Sequence, residues 1–204
     1  TQVAVMLPFW TQWMATFPNV NSLAAVPLEK VLLLWQGLGY YSRAHRIHQA
    51  SFQLQENNWP RTLEGWTVLP GIGRTTAGSI LSSAFNLPFP ILDGNVRRIL
   101  ARFTACREHS SSIVEQNFWR LSYLFLDKER PRAFNQALMD LGALVCTTRN
   151  PKCDVCPLKQ SCSAYAIGEP IDFPLKKKSK KLCVQVIGVG VVFNNRGEVL
   201  IDQR

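Results

Sequence analysis

Apolar residues in the first part of the chain recur at helical spacing. Between Gln2 and Phe17 they fall at Val3, Met6, Leu7, Trp10, Met14 and Phe17, one face of a 3.6-residue repeat. No capping signal precedes Thr1, so this helix is expected to be under way, and the chain cut into, where the sequence starts. Ala24–Trp35 predicts a second helix with the apolar face Val31, Leu34 and Trp35, stopped by Gly37 and Gly39. Ser42 predicts the N-cap of a third helix, Arg43 to Gln55, closed by Asn57, Asn58 and Pro60. A short helix is expected over Thr62–Val68. The string Leu69-Pro70-Gly71-Ile72-Gly73-Arg74 predicts a tight turn into a helix over Thr75–Phe85. A bend at Pro88 and Pro90 leads to Asp93, and Gly94–Ala105 predicts the next helix. Ser112–Leu126 and Arg132–Val145 predict two more, the latter entered through Pro131. Residues 1–145 therefore form an almost wholly helical unit, without repeats or low-complexity stretches.

The pattern changes after residue 145. Residues 146–165 hold a run of cysteines, and 166–182 read as a linker with a solvated lysine run, Lys176–Lys181. Within 183–204, Val184–Phe193 and Val199–Ile201 predict two strands around the turn Asn194–Gly197. A lone hairpin is not stable in water, so this stretch is expected to open a β-containing domain that the chain does not complete. Hydrophobic residues make up 47% of the 204, enough to bury a core. Apolar runs such as Val186–Phe193 are far shorter than the roughly 20 residues of a membrane span, and no signal peptide is apparent. A soluble intracellular protein is expected. The 23 Lys and Arg outnumber the 14 Asp and Glu, for a net charge of +9, which favours a polyanionic partner through counterion release.

Four cysteines, Cys146, Cys153, Cys156 and Cys162, have the spacing C-x6-C-x2-C-x5-C, while Cys106 and Cys183 stand apart. Clustered thiols in an intracellular chain point to a metal site. A [4Fe–4S] cluster suits four thiolates on one short segment; structural zinc is the alternative, although its cysteines usually come as two C-x2-C pairs. Arg149 and Lys152, between the first two ligands, are placed to face phosphate. Gly71 and Gly73 let backbone approach a ligand closely, and the following helix N-terminus favours an anion, with Arg74 adding charge. A phosphate clamp of the helix-hairpin-helix kind fits, and so does a plain helix-to-helix turn. Asp93, at a predicted helix start, reads either as an N-cap or as a carboxylate serving a developing positive charge, such as the oxocarbenium-like sugar of N-glycosidic cleavage. Tyr40 and Tyr41 follow a glycine turn and precede Arg43 and Arg46. Such a group can wedge into a base stack while arginines hold phosphates, or pack a helix junction. His45, His48 and His109 read as ordinary surface or core residues, and Cys106 and Cys183 as small buried ones.

Taken together, Thr1-Gln2-Val3, Leu34–Tyr41, the hairpin string, Ile91–Val96, Phe134–Ala143 and the four cysteines resemble the adenine DNA glycosylase family (MutY), within the endonuclease III superfamily, over about residues 1–164. The resemblance implies an all-α, two-lobed helix-hairpin-helix glycosylase fold with an iron–sulfur cluster loop, followed by the first β-hairpin of a Nudix-like 8-oxoguanine-sensing domain. It implies monofunctional hydrolysis that removes adenine from A:8-oxoguanine or A:G mispairs in double-stranded DNA, by a monomer in the bacterial cytoplasm or a eukaryotic nucleus. Asp93 would stabilise or attack the sugar cation with Asn95 close by; Tyr40 would wedge beside the 8-oxoguanine, and Thr75 would line the base pocket. Gly71, Gly73, Arg74, Thr75, Tyr40, Arg43, Arg149 and Lys152 would contact DNA, and the cysteines would hold [4Fe–4S]. The family's general acid, a glutamate, would lie ahead of the position of Thr1, so this chain alone is expected to bind DNA and excise adenine poorly.

Three rivals are weaker. A glycosylase-lyase needs a Schiff-base lysine after the hairpin Gly-Arg pair, where this chain has Thr75. A zinc-bearing DNA-binding module would have no use for Asp93 in its Leu-Asp-Gly-Asn-Val setting. A Nudix hydrolase would need a glutamate-rich signature, which these residues lack.

Overall fold

The computed structural model describes residues 3–54, 59–107, 111–174, 188 and 190–200. The described part is helical up to the cysteine loop. Helix α1 (Val3–Thr16) is followed by α2 (Val20–Ala24) and α3 (Leu28–Trp35). The single helix expected over Ala24–Trp35 is thus two, because Pro27 cannot donate a backbone hydrogen bond and stands as the extended N-cap of α3 (φ −67°, ψ 152°). Asn19 caps α2 with a reciprocal capping box to Ser22. Helix α4 (Ser42–Gln53) includes Ser42 rather than being capped by it; Tyr41 takes the cap position without a side-chain bond. Thr62 caps α5 (Leu63–Thr67), its side chain accepting from the Gly65 N–H.

The hairpin turn leads into α6 (Arg74–Phe85), which Asn86 closes in the left-handed conformation (φ 53°). Helices α7 (Gly94–Phe103), α8 (Ser112–Phe125) and α9 (Pro131–Asp140) follow. The expected continuation of α9 to Val145 is present in a wider form, a π-helical turn over Leu141–Val145. Short 3₁₀ turns and α10 (Ser163–Ile167) complete the cysteine segment. Among the described residues, β pairing is limited to an isolated antiparallel bridge, Phe193 with Val199, around the expected turn. The lysine run, Cys183, His109 and half of the first expected strand lie outside the described residues. No helix among the described residues is long and apolar enough to cross a membrane.

Three apolar clusters hold the helices. Phe17, Leu23, Val31 and Ala44 join α1–α4. Leu54, Trp66, Leu69, Ala77 and Leu81 form the centre around the hairpin, and Ile91, Leu92, Val96, Leu100, Val114, Phe118 and Trp119 the centre around α7 and α8. Burying each large side chain of this kind contributes about 1.5–3 kcal/mol. The segment between α6 and α7 crosses from one centre to the next: Leu87 and Phe89 pack on the hairpin side, Ile91 and Leu92 on the α7–α8 side. Asp93 stands at the end of that crossing.

Candidate active site and nucleic-acid interface

In the crossing segment the carbonyls of Phe89, Ile91 and Leu92 accept no backbone hydrogen bond among the described residues and depend on side chains. Asn135 on α9 donates to Phe89 O at 2.9 Å, Ser122 on α8 to Ile91 O at 2.7 Å, and Thr75 on α6 to Leu92 O at 3.0 Å. Gly78 lets the segment lie against α6, since a Cβ there would stand 2.4 Å from Pro90 O. Three helices thereby fix the backbone that presents Asp93.

Asp93 is half-buried and caps α7, its Oδ1 accepting from the Val96 N–H at 2.8 Å. Its Oδ2 accepts from Asn95 Nδ2 at 3.2 Å. Asn95 Oδ1 in turn accepts from Arg98 Nη2 at 2.9 Å, and Arg98 also donates to Gly142 O at 2.6 Å and Cys146 O at 2.7 Å. Burial lowers the Arg98 pKa from its ordinary value; negative charge on Cys146 opposes that shift, Arg102 adds to it, and Asp93 opposes it least of the named groups. A neutral amide thus separates the carboxylate from the guanidinium, and among the described residues Asp93 has no ion pair. Sequence reasoning brought Asp93 and Asn95 together; it missed Arg98 and Gly142. The available signal was Arg98 and Arg102 four residues apart on a helix whose neighbours Val96, Ile99, Leu100 and Ala101 are buried.

At the hairpin, Gly71 is left-handed (φ 78°). Gly73 caps α6 without a side-chain bond, which leaves the first-turn amides of α6 without a side-chain acceptor. Arg74 and Thr75 diverge. Thr75 turns inward to Leu92, whereas the Arg74 guanidinium lies 4.0 Å from the centroid of the Trp119 ring, in a groove shared with Pro88, Arg120 and Tyr123. Arg74 is exposed and rests on an aromatic face, which leaves its N–H donors at the surface.

Tyr40 is 80% exposed and left-handed (φ 51°), a conformation that costs a non-glycine residue about 1–3 kcal/mol. The turn is held by Trp35, whose Nε1 donates to Gly39 O at 3.0 Å. Arg43 sits over both Tyr40 and Trp35, at 5.3 and 5.6 Å from the ring centroids. Tyr41 is exposed as well. His48 is buried, its Nε2 2.9 Å from Val26 O, and His45 is exposed, in keeping with structural roles. Cys106 packs against the α7–α8 centre.

Cys146, Cys153, Cys156 and Cys162 line one small cavity of about 30 Å³ with Arg102, Lys152 and Tyr165. Burial raises the Cys153 pKa, the three other cysteines raise it further, and Arg102 opposes them least of the named causes. Buried Arg102 reaches the same place: Nη1 donates to Cys146 Sγ at 3.3 Å and to Thr147 O at 2.7 Å, Nη2 to Thr148 O at 3.1 Å, and Nε to Phe173 O at 3.0 Å. Among the described residues no group of three or more His, Cys, Asp or Glu is disposed to hold a single metal ion. Arg149 and Lys152 are exposed on this loop.

The model of the family described as "HhH-GPD superfamily base excision DNA repair protein" matches residues 1–122. The chain is 42% identical over 184 residues to an adenine DNA glycosylase of Buchnera aphidicola subsp. Schizaphis graminum, covering 88% of this chain and 53% of that protein. It is 44% identical over 169 residues to the adenine DNA glycosylase of Homo sapiens, covering 80% of this chain and 31% of that one. The chain spans about half the length, or less, of these curated relatives. Among solved structures it superposes on a thermostable thymine-DNA glycosylase with a TM-score of 0.73 at 22% identity, covering 82% of this chain and 79% of that one. It also superposes on endonuclease III in a non-covalent DNA complex, with a TM-score of 0.67 at 24% identity over 81% and 78% of the two chains. These two likenesses establish the fold. On the family match and the described helices, the chain belongs to the HhH-GPD superfamily of base excision DNA repair proteins.

Proposed function

We propose that this chain is the glycosylase portion of an enzyme that hydrolyses the N-glycosidic bond of adenine mispaired with 8-oxoguanine or guanine in double-stranded DNA. The observation that carries this reading is the state of Asp93. Its carboxylate is held by a backbone N–H and a neutral amide, with Arg98 kept one residue away. A negative charge fixed in place and left without a cation suits a sugar that becomes cationic as its base departs. The bond from the sugar to adenine breaks with its electrons leaving on the base; water adds its hydroxyl to the sugar carbon, and the remaining proton goes to the adenine nitrogen. The named relatives, adenine DNA glycosylases of bacteria and man, support adenine as that base.

The remaining residues take supporting parts. Tyr40, exposed and strained, wedges into the stack beside the flipped nucleotide, with Arg43 behind it. The backbone at Gly71 and Gly73 and the first turn of α6 grip phosphate, and Thr75 borders the base pocket. Thr75 offers no amine for a Schiff base, which fits a monofunctional hydrolase. Arg149 and Lys152 add phosphate contacts from the cysteine loop.

The four cysteines fit a [4Fe–4S] cluster: they share one cavity, and Arg102 donates to one sulfur. When bound, such a cluster supplies cationic iron for four thiolates and fixes residues 146–162. We read the turn at Phe193–Val199 as the start of a Nudix-like domain that senses 8-oxoguanine. The protein acts as a monomer wherever its DNA lies, in a bacterial cytoplasm or a nucleus.

The deciding experiment is Asp93→Asn in the protein expressed from the whole gene, assayed by single-turnover excision from an A:8-oxoguanine duplex. Asparagine caps a helix about as well as aspartate, so stability and duplex affinity should hold while excision falls at least ~100-fold. Unchanged excision would reduce Asp93 to a cap and remove it from the mechanism; a wild-type protein that excises no adenine would remove the enzymatic reading.

A further inference from the structure

We propose that Arg46, on α4, supplies the cation of the hairpin phosphate grip, whereas the sequence groups it only with the tyrosine turn. This inference rests on the DNA-binding reading above. The hairpin turn and α4 meet at Gly71. A Cβ added there would stand 2.5 Å from Arg46 Cδ, 3.0 Å from its Cβ and 3.2 Å from its Cγ. The aliphatic stem of Arg46 therefore lies across the bare Cα of Gly71, and the left-handed glycine leaves room for it. Arg46 as a whole is nonetheless exposed. With the stem covered by the turn, its exposed part is the guanidinium, the disposition of a long basic side chain that buries its methylenes and keeps its charge in solvent.

The arginines nearby each rest on an aromatic ring. Arg74 stacks on Trp119, Arg43 on Trp35 and Tyr40, and Arg61 on Phe85 at 4.0 Å. Arg46 has neither an acidic nor an aromatic partner among the described residues. It lies beside backbone that offers amides to an anion, and it adds the fork of donors that suits a phosphate oxygen pair. Arg43 and Arg46 are three residues apart on α4 and share a face, so one helix would connect the Tyr40 wedge to the hairpin. The ligand is the sugar–phosphate backbone of duplex DNA, held without regard to sequence.

The test compares wild type with Arg46→Gln, which keeps most of the stem, and Arg46→Lys, which keeps the charge, in the protein expressed from the whole gene. Binding is measured by fluorescence anisotropy on a fully paired duplex and an A:8-oxoguanine duplex across a KCl series. Loss of one phosphate contact removes about 0.9 from the slope of log affinity against log salt. Arg46→Gln should therefore weaken both duplexes to a similar degree, and its deficit against wild type should shrink about 3.5-fold between 50 and 200 mM salt. Arg46→Lys should retain most of the slope. An unchanged slope in Arg46→Gln overturns the proposal, including the case where affinity falls through loss of packing on Gly71. A wild-type protein that binds neither duplex overturns it as well. Duplex binding with a reduced slope but no adenine excision would sink the enzymatic reading and leave Arg46 standing; excision with an unchanged slope would do the reverse.

Discussion

Gly142 lies so close to Asn95 that a β-carbon added to it would stand 2.5 Å from the Asn95 Cβ and 3.1 Å from its Cγ. Gly142 belongs to the π turn after α9, Asn95 to the first turn of α7, and Asn95 Nδ2 is one of the two hydrogen bonds on Asp93. A methyl group at 142 must move Asn95, and with it the amide that separates Asp93 from Arg98. Gly142→Ala should destabilise the fold by about 1–3 kcal/mol, the usual cost of overpacking. Excision of adenine should fall about 10- to 100-fold, because misplacement by an ångström has that order of effect. Urea denaturation and single-turnover kinetics check the two parts. Adding Asn95→Gly should recover part of the stability without the activity, a favourable coupling between neighbours; additive losses would show that the two residues do not meet.

Arg102 is 2% exposed and donates to the carbonyls of Thr147, Thr148 and Phe173 and to the sulfur of Cys146. Arg102→Met fills similar volume and leaves three carbonyls without their donor. Stability should fall by about 3–5 kcal/mol, as when a buried charged network loses its centre. The loop should become protease-sensitive around residues 147–152, and iron content per chain should drop. Arg102→Lys should rescue poorly, since one ammonium cannot reproduce the planar fork. Limited proteolysis and iron analysis decide it; a lysine variant indistinguishable from wild type would show that charge alone is needed.

What was legible in the sequence was local. The turn chemistry of Gly71 and Gly73, the cap at Asp93 and the apolar stripes of α1, α6, α7 and α8 depend on neighbours a few residues away, and the observed elements match within a residue or two. The break at Ala25–Pro27 was missed because the apolar stripe runs through it, from Leu23 and Ala24 to Val31, while Pro27 lacks the donor that a continuous helix needs. The π turn was invisible for another reason. Leu141–Val145 has an ordinary helical composition; the turn is widened where Cys146 N donates to Leu141 O at 2.7 Å, and Arg98 takes the freed Gly142 and Cys146 carbonyls. The stacking of Arg74 on Trp119, 45 residues later in the chain, was not legible either, since nothing near Arg74 in the sequence points to that ring. The site residues that could be named from sequence were those whose chemistry is local; those that position them act across the fold.

Gly78 sets two effects against each other with opposite signs. It lies within α6, and replacing a helical glycine with alanine ordinarily stabilises by about 1 kcal/mol. Here the added methyl would stand 2.4 Å from Pro90 O, a backbone atom of the segment that Asn135, Ser122 and Thr75 hold by its neighbouring carbonyls. To reach an ordinary contact, that segment must retreat by about an ångström, which strains all three bonds. Each is worth about 0.5–1.5 kcal/mol, and more if its buried carbonyl is left unpaired. The steric cost therefore exceeds the propensity gain, and Gly78→Ala should lose about 1–3 kcal/mol net, lowering Tm by roughly 2–4 °C per kcal/mol. Because the same segment ends at Asp93, excision should fall further than stability predicts, by about tenfold or more, with duplex affinity kept. Thermal denaturation and single-turnover excision measured on one preparation separate the two losses. A variant more stable than wild type would mean that the crossing segment yields freely, and that Asp93 is not held by the contacts described.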